Sequence, residues 1–250
     1  MFSSCFLCYE KFRKLILWIR FFNHILGKIF GEYKVCGDEK LTTNMKQVLM
    51  VEEIETKFTL YRHVKEAFLE VNREIFVPKG FGQRAFKLDA LPMQQNQWIS
   101  SPLTVAKMTQ YLELKGVDSI LEVGCGSGYQ AAILSKLCRR VFTIERIDSL
   151  LKEAKERFRS ESITNVFTRF DDGQRGWKVY APFERILFSA TAKKVPPILF
   201  EQLAEGGILL APIEEDGLQI ITRYSKKNGK ISSEVIEPCF FVPIVDGRVK

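Results

Sequence analysis

The chain has 250 residues, 46% of them hydrophobic and 27% charged. That is enough to bury a core without disulfide or metal staples, which excludes a disordered tail, a collagen-like fibre and a small secreted knot. The net charge of +7 is weighted toward the N-terminus: residues 1–44 carry seven Lys/Arg against four Asp/Glu, leaving +4 for the remainder. After Lys40 no basic run interleaved with aromatics forms a nucleic-acid footprint, so no nucleic-acid partner is expected.

In chain order, the first feature is Cys5-x-x-Cys8, which has neither a second pair nor an adjoining His to complete a metal site. No metal is expected. The six cysteines (Cys5, Cys8, Cys36, Cys125, Cys138, Cys239) follow no secreted spacing, and no cleavable signal precedes them, which points to a reducing cytoplasm. Over residues 12–30, Phe12, Leu15, Ile16, Ile19, Phe22, Leu26, Ile29 and Phe30 recur at helical spacing, an amphipathic helix with basic residues on other faces. Arg20, Asn23, His24 and Lys28 interrupt it too often for a membrane span. Two readings stay open for residues 11–30: peripheral contact with a membrane surface, or a cover over an apolar patch of the main domain. Residues 31–44 read as a linker, and Met45 opens a charged helical stretch that is itself a candidate start. The expected organisation is an extension over 1–44 and one domain over 45–250.

Within that domain, β-branched runs at 119–123, 140–144, 166–170 and 185–189 alternate with helical patterns near 131–137 and 149–158. Such alternation predicts a parallel sheet covered on both faces. A helix near 197–204 and Gly206-Gly207 follow. Runs at 208–213 and 218–224, joined by Glu215-Asp216-Gly217, then predict an antiparallel hairpin. A mostly parallel sheet ending in a hairpin gives the fold class: α/β, Rossmann-like, in the S-adenosylmethionine (SAM) methyltransferase variant, with an N-terminal helical extension.

The sharpest chemical signal is Glu122-Val123-Gly124-Cys125-Gly126-Ser127-Gly128, where a strand enters a glycine-rich turn ahead of a helix. Such a turn presents backbone N–H groups to a ligand, and side chains would block the approach. Glu145, 17 residues after Gly128 at the end of the second strand, can accept hydrogen bonds from ribose hydroxyls. Gly126, Gly128 and Ala131 also satisfy a dinucleotide frame, so the loop alone does not choose between NAD and SAM. Taken singly, Gly124 is a turn glycine, Cys125 a small filler and Glu145 a solvated strand-end charge; taken in order, they form a cofactor site. After the third strand, Asp172-Gly173 is either an ordinary turn or a contact with the adenine amino group and ring. His24 and His63, the only histidines, have no catalytic partner in a known spacing, so imidazole chemistry is not expected.

These residues sit among others that resemble the protein-L-isoaspartate O-methyltransferase family. The matching pieces include Arg73-Glu74-Ile75-Phe76-Val77-Pro78, Ile99-Ser100-Ser101-Pro102, the run from Leu121 to Ala132, Thr143-Ile144-Glu145-Arg146, Asp172-Gly173-Gln174-Arg175-Gly176-Trp177 and Phe241-Val242-Pro243. They extend over residues 58–246. The resemblance implies transfer of the SAM methyl group to the α-carboxylate of L-isoaspartyl residues in damaged proteins. The ester then closes to a succinimide that hydrolyses partly to aspartate. It implies Ser100 as the active-site residue, with Glu122, Gly124, Gly126, Gly128, Glu145, Asp172 and Gly173 at the cofactor. Its partners would be isoaspartyl-containing peptides and proteins, met by a monomer.

One segment departs from the family pattern Leu-Pro-Ile-Gly-x-Gly-Gln-Thr-Ile-Ser. Here two glycines and a threonine are replaced by Gln94, Asn96 and Trp98, which leaves the substrate less secure than the cofactor. Alternatives are therefore a SAM methyltransferase for another carboxylate or small molecule, and a catalytically silent SAM-binding interaction module. A carboxylate nucleophile is already ionised near neutral pH, so the expected reaction needs no general base. Ser100 then orients that carboxylate by hydrogen bond, unless it serves as N-cap of the helix predicted over 104–114, a place Ser101 can also fill.

Overall fold

The computed structural model describes residues 38–250, with side chains from Thr43 onward. The amphipathic stretch at 12–30 and the Cys5/Cys8 pair lie outside the described residues. Residues Thr43–Lys250 form one compact unit. Its first helix, α1 (Asp38–Lys57), starts inside the segment read as a linker. From Asp38 to Lys57 there is neither Gly nor Pro to interrupt a helix, so the linker reading is corrected from Asp38 on. Helix α1 buries Met50, Val51 and Ile54. Its buried Gln47 donates from Nε2 to the carbonyls of Phe68 and Val71, both at 2.7 Å. Those carbonyls lie at the end of α2 (Arg62–Glu70), where backbone acceptors otherwise go without partners.

A short ribbon, β1 (Leu91–Pro92) paired with β2 (Trp98–Ile99), leads into α3 (Pro102–Tyr111). The main sheet then begins. Strand β3 (Ser119–Val123), helix α4 (Tyr129–Ser135), β4 (Arg140–Glu145), α5 (Asp148–Ser160) and β5 (Val166–Phe170) progress toward one edge. The chain returns as β6 (Phe183–Phe188) on the other side of β3 and continues through α6 (Pro197–Glu201) to β7 (Leu203–Glu215). Strands β8 (Leu218–Lys227) and β9 (Lys230–Pro238) complete the spatial order β5-β4-β3-β6-β7-β8-β9, parallel through β7 and antiparallel beyond.

At the centre of the sheet, β3, β4 and β6 are covered on both faces, as their apolar runs require. Alternate residues divide between two cores: Ile120, Val141, Leu187 and Leu210 join one, and Leu121, Phe142, Ile186 and Leu209 the other. The first core also contains α1 to α5 side chains such as Phe68, Val105, Ile133 and Leu151. The predicted Asp216-Gly217 turn is present, with φ of 51° and 77°. A second turn of the same kind, Asn228-Gly229 at 52° and 71°, leads into β9 and makes the expected hairpin a three-stranded meander. Among the described residues, no helix is long and apolar enough to cross a membrane.

Candidate active site

Strand order reverses between β3 and β6, and in such sheets the crevice beyond the strand ends at that reversal takes ligands. Here the crevice is walled by Glu122 to Ser127, with Ser189 facing from the end of β6. Backbone bonds fix its rim: Gly124 N donates to Ile144 O and Ser189 N to Val123 O, both at 2.9 Å. Gly124, Gly126 and Gly128 all have positive φ, at 97°, 53° and 88°. Their surroundings differ. A Cβ on Gly126 would meet nothing within 4 Å, whereas one on Gly128 would lie 2.8 Å from Cζ of Phe158. Gly128 is absent from the cavity wall; it lets α4 pack against α5. Of the three loop glycines, Gly128 is the one that this packing requires.

Three acids converge on this cavity, each held differently. Glu145 accepts from Gly126 N at 2.8 Å and from Ile147 N at 2.9 Å, one bond to each oxygen. Burial raises its carboxyl above the usual range while these backbone donors pull the other way. Glu122, with no exposed surface, accepts from Thr143 Oγ1 at 2.6 Å and Ser189 Oγ at 3.2 Å. Burial pushes it up to about 8, more than the two hydroxyls lower it. Asp172 accepts from Gln174 N at 3.0 Å, closing a 3-10 turn, and from Gly247 N at 2.9 Å. Beside it, a Cβ on Gly173 would approach Val123 Cγ1 to 2.6 Å, so this glycine lets the turn pack against β3.

The bond from Gly247 reveals a part of the site that spacing did not predict. The C-terminal segment runs across the strand ends as a strap and contributes Val242 to Val245 to the cavity wall. It is bonded to the β6 side through Thr191 N to Val242 O at 2.8 Å and Ile244 N to Thr191 O at 2.7 Å. On the β4 side, Val249 N donates to Arg146 O at 2.7 Å and Asp148 N to Val249 O at 3.0 Å.

Ser100 lines the same cavity. The helix cap is its neighbour: Ser101 Oγ accepts from Thr104 N at 3.1 Å and caps α3. Among the described residues, Ser100 Oγ has no hydrogen-bond partner, so the hydroxyl is available to a ligand.

A family model described as Protein-L-isoaspartate(D-aspartate) O-methyltransferase matches residues 44–249 of this chain. The chain belongs to that family. A Helicobacter pylori protein-L-isoaspartate O-methyltransferase is 55% identical over 205 residues, 82% of this chain and 98% of its own length. The Maricaulis maris protein of the same name is 43% identical over 178 residues, 71% of this chain and 84% of its own. Among solved structures, a Plasmodium falciparum protein described as a protein-L-isoaspartate O-methyltransferase, in complex with S-adenosyl-L-homocysteine, superposes with a TM-score of 0.72 at 24% identity. That superposition covers 80% of this chain and 98% of the other, and supports the fold.

Measured against the family pattern, one of the two missing glycines has a local explanation. Asn96 sits at φ 55°, in the left-handed region where Asn is tolerated, and Gln95 beside it at 58°. Asn96 therefore adopts a left-handed backbone at a position where the family pattern has glycine. Trp98 is half exposed and lines both the main cavity and an adjoining one that holds Ser100, Phe240 and Phe241. Thr143, Ser189 and Gly247 were not foreseen as partners of the acids; of these, only the Asp246-Gly247 pair carried a sequence signal, that of a turn.

Proposed function

We propose that this chain binds SAM in the crevice beyond β3, β4 and β6 and methylates the α-carboxylate of L-isoaspartyl residues in damaged proteins. Membership of the family supports the reaction. The observation that carries the assignment to this site is that one cavity contains the open glycine turn, the buried acids and the unbonded Ser100 hydroxyl.

The wall suits the cofactor. Open space at Gly126 admits a ligand against the backbone, while Ile144, Ile147 and Val245 offer apolar surface for a base and Glu145 carries acceptors for ribose hydroxyls. Asp172 stands beside that apolar surface. When bound, SAM supplies an electrophilic methyl group on a sulfonium. The chain's own residues have the tasks of holding the acceptor in line and excluding water. Ser100 Oγ donates to the substrate carboxylate and orients it. The strap from Val242 to Val245 covers the crevice. No side chain has to remove a proton, because the acceptor is ionised at neutral pH. Cys125, Cys138 and Cys239 are buried free thiols, in keeping with a cytoplasmic protein.

The test is incubation with radiolabelled SAM and paired peptides bearing L-isoaspartate or L-aspartate. Label on the isoaspartyl peptide alone is expected. Ser100→Ala should lower turnover with S-adenosylhomocysteine affinity and melting temperature nearly unchanged, because the hydroxyl bonds nothing within the protein. Binding of S-adenosylhomocysteine without labelling of either peptide would refute the proposed activity.

A further inference from the structure

Arg73 is fully buried, yet no carboxylate pairs with it among the described residues. It opens the 3-10 turn Arg73–Phe76, and its guanidinium reaches three other segments. Nε donates to Ala85 O and Nη2 to Ser100 O, each at 2.9 Å. The guanidinium carbon lies 4.7 Å from the ring centroid of Tyr129, which lines the cofactor cavity at the start of α4. Nη1 is buried without an acceptor, as is the Tyr129 hydroxyl. Burial lowers Arg73 to about 10, so it remains a cation at neutral pH.

A desolvated, unpaired cation is expensive, and an apolar side chain of similar volume would stabilise this interior better. What the guanidinium provides is geometry. One planar edge bridges carbonyls on two separate segments along directions fixed by the rigid fork, an orientation that an ammonium on a flexible stem does not hold. Its bond to the Ser100 carbonyl is the only side-chain hydrogen bond to Ser100 among the described residues. We infer that Arg73 is a positioning residue for methyl transfer, fixing the Ser100 backbone against the wall of the cofactor cavity so that the Ser100 hydroxyl points at the acceptor carboxylate. This rests on the activity proposed above.

The test is Arg73→Lys, which retains charge but loses the planar fork and its Nε–H. Turnover of an isoaspartyl peptide should fall roughly 10–100-fold, the scale of a small misplacement of a reacting group. The dissociation constant for S-adenosylhomocysteine should stay within about twofold, since Arg73 is not part of the cavity wall. Because Arg73 acts through Ser100, adding R73K to S100A should cost much less than R73K costs alone. Normal turnover in R73K, an equal loss of cofactor affinity, or full additivity with S100A would each overturn the inference. Should R73K not fold, the wild type carries the test through its arginine Nε–H resonances. The slowly exchanging Arg73 signal is expected to shift when isoaspartyl peptide joins the S-adenosylhomocysteine complex, and an unmoved signal refutes the role. Failure of the underlying activity is distinguishable, because it would leave the wild type itself inactive.

Discussion

Two glycines two residues apart have opposite jobs, and Ala substitution should separate them. At Gly128, with φ of 88°, an added methyl carries a left-handed strain of about 1–2 kcal/mol. It would also lie 2.8 Å and 2.9 Å from ring carbons of Phe158 and 3.3 Å from Ala154 Cβ. Both neighbours are buried, so relief requires moving α5, an overpacking cost of about 1–3 kcal/mol. The stiffer unfolded chain returns about 0.4–1 kcal/mol. Gly128→Ala should therefore destabilise by about 3 kcal/mol, a melting temperature lower by about 6–12 °C for a domain of this size. At Gly126, with φ of 53° and open space, only the backbone strain remains, leaving about 1 kcal/mol and about 2–4 °C. The same methyl, however, would fill the open space at the loop where the proposed site receives the cofactor. Titration calorimetry with S-adenosylhomocysteine should show affinity reduced at least about tenfold in G126A, or about 1.4 kcal/mol, and nearly retained in G128A at a temperature where it is folded. Equal melting losses in the two variants, or normal affinity in G126A, would refute the division of roles.

Glu145→Ala should weaken S-adenosylhomocysteine binding by about 1–3 kcal/mol and also lower stability, since the Gly126 and Ile147 N–H groups lose their acceptor. Unchanged affinity by calorimetry would remove Glu145 from the site. Trp98→Thr should leave the melting temperature within about 2 °C and raise KM for isoaspartyl peptides about 2–13-fold, the worth of one aromatic contact. Lost S-adenosylhomocysteine affinity would instead make Trp98 a cover for the cofactor. Glu122 is protonated in the fold up to about pH 8 but ionises near 4.5 when unfolded, so the native state binds the extra proton. Stability should fall as pH rises from about 4.5 to about 8, and Glu122→Gln should flatten that slope in denaturation curves. An identical slope in the variant would refute the assignment.

The parts of the fold that could be read from residue order are those governed by local physics. Strands β3 and β5 lie where the short β-branched runs predicted; β3 is buried along its whole length, whereas β5 is a partly exposed edge strand that its β-branched and aromatic residues still mark. Strand β9 was not foreseen. Its sequence, Lys-Ile-Ser-Ser-Glu-Val-Ile-Glu-Pro, is mostly exposed at the sheet edge and shows no continuous apolar run, although Asn228-Gly229 carried the turn signal. The start of α1 was displaced because Gly37 and the polar residues after it resemble a linker until a helix is allowed to continue through them. Within the site, Gly124, Gly126 and Glu145 were legible from spacing. The division between Ser100 and Ser101 was not, since either hydroxyl satisfies a cap on paper and only three-dimensional geometry selects Ser101. Contacts such as Asp172 with Gly247 span 75 residues of chain and leave no local pattern.

The cavity's two innermost acids show how similar side chains acquire different behaviour. Glu145 receives fixed backbone N–H donors on both oxygens, groups that favour the charged carboxylate and counter its burial. Glu122 is deeper and receives two hydroxyls, which can reorient and accept as readily as they donate. A hydroxyl environment therefore accommodates the protonated acid, while a backbone amide cannot. The proximity of Glu145 raises Glu122 further. Near neutral pH, Glu122 thus stays protonated and spares the interior a buried charge.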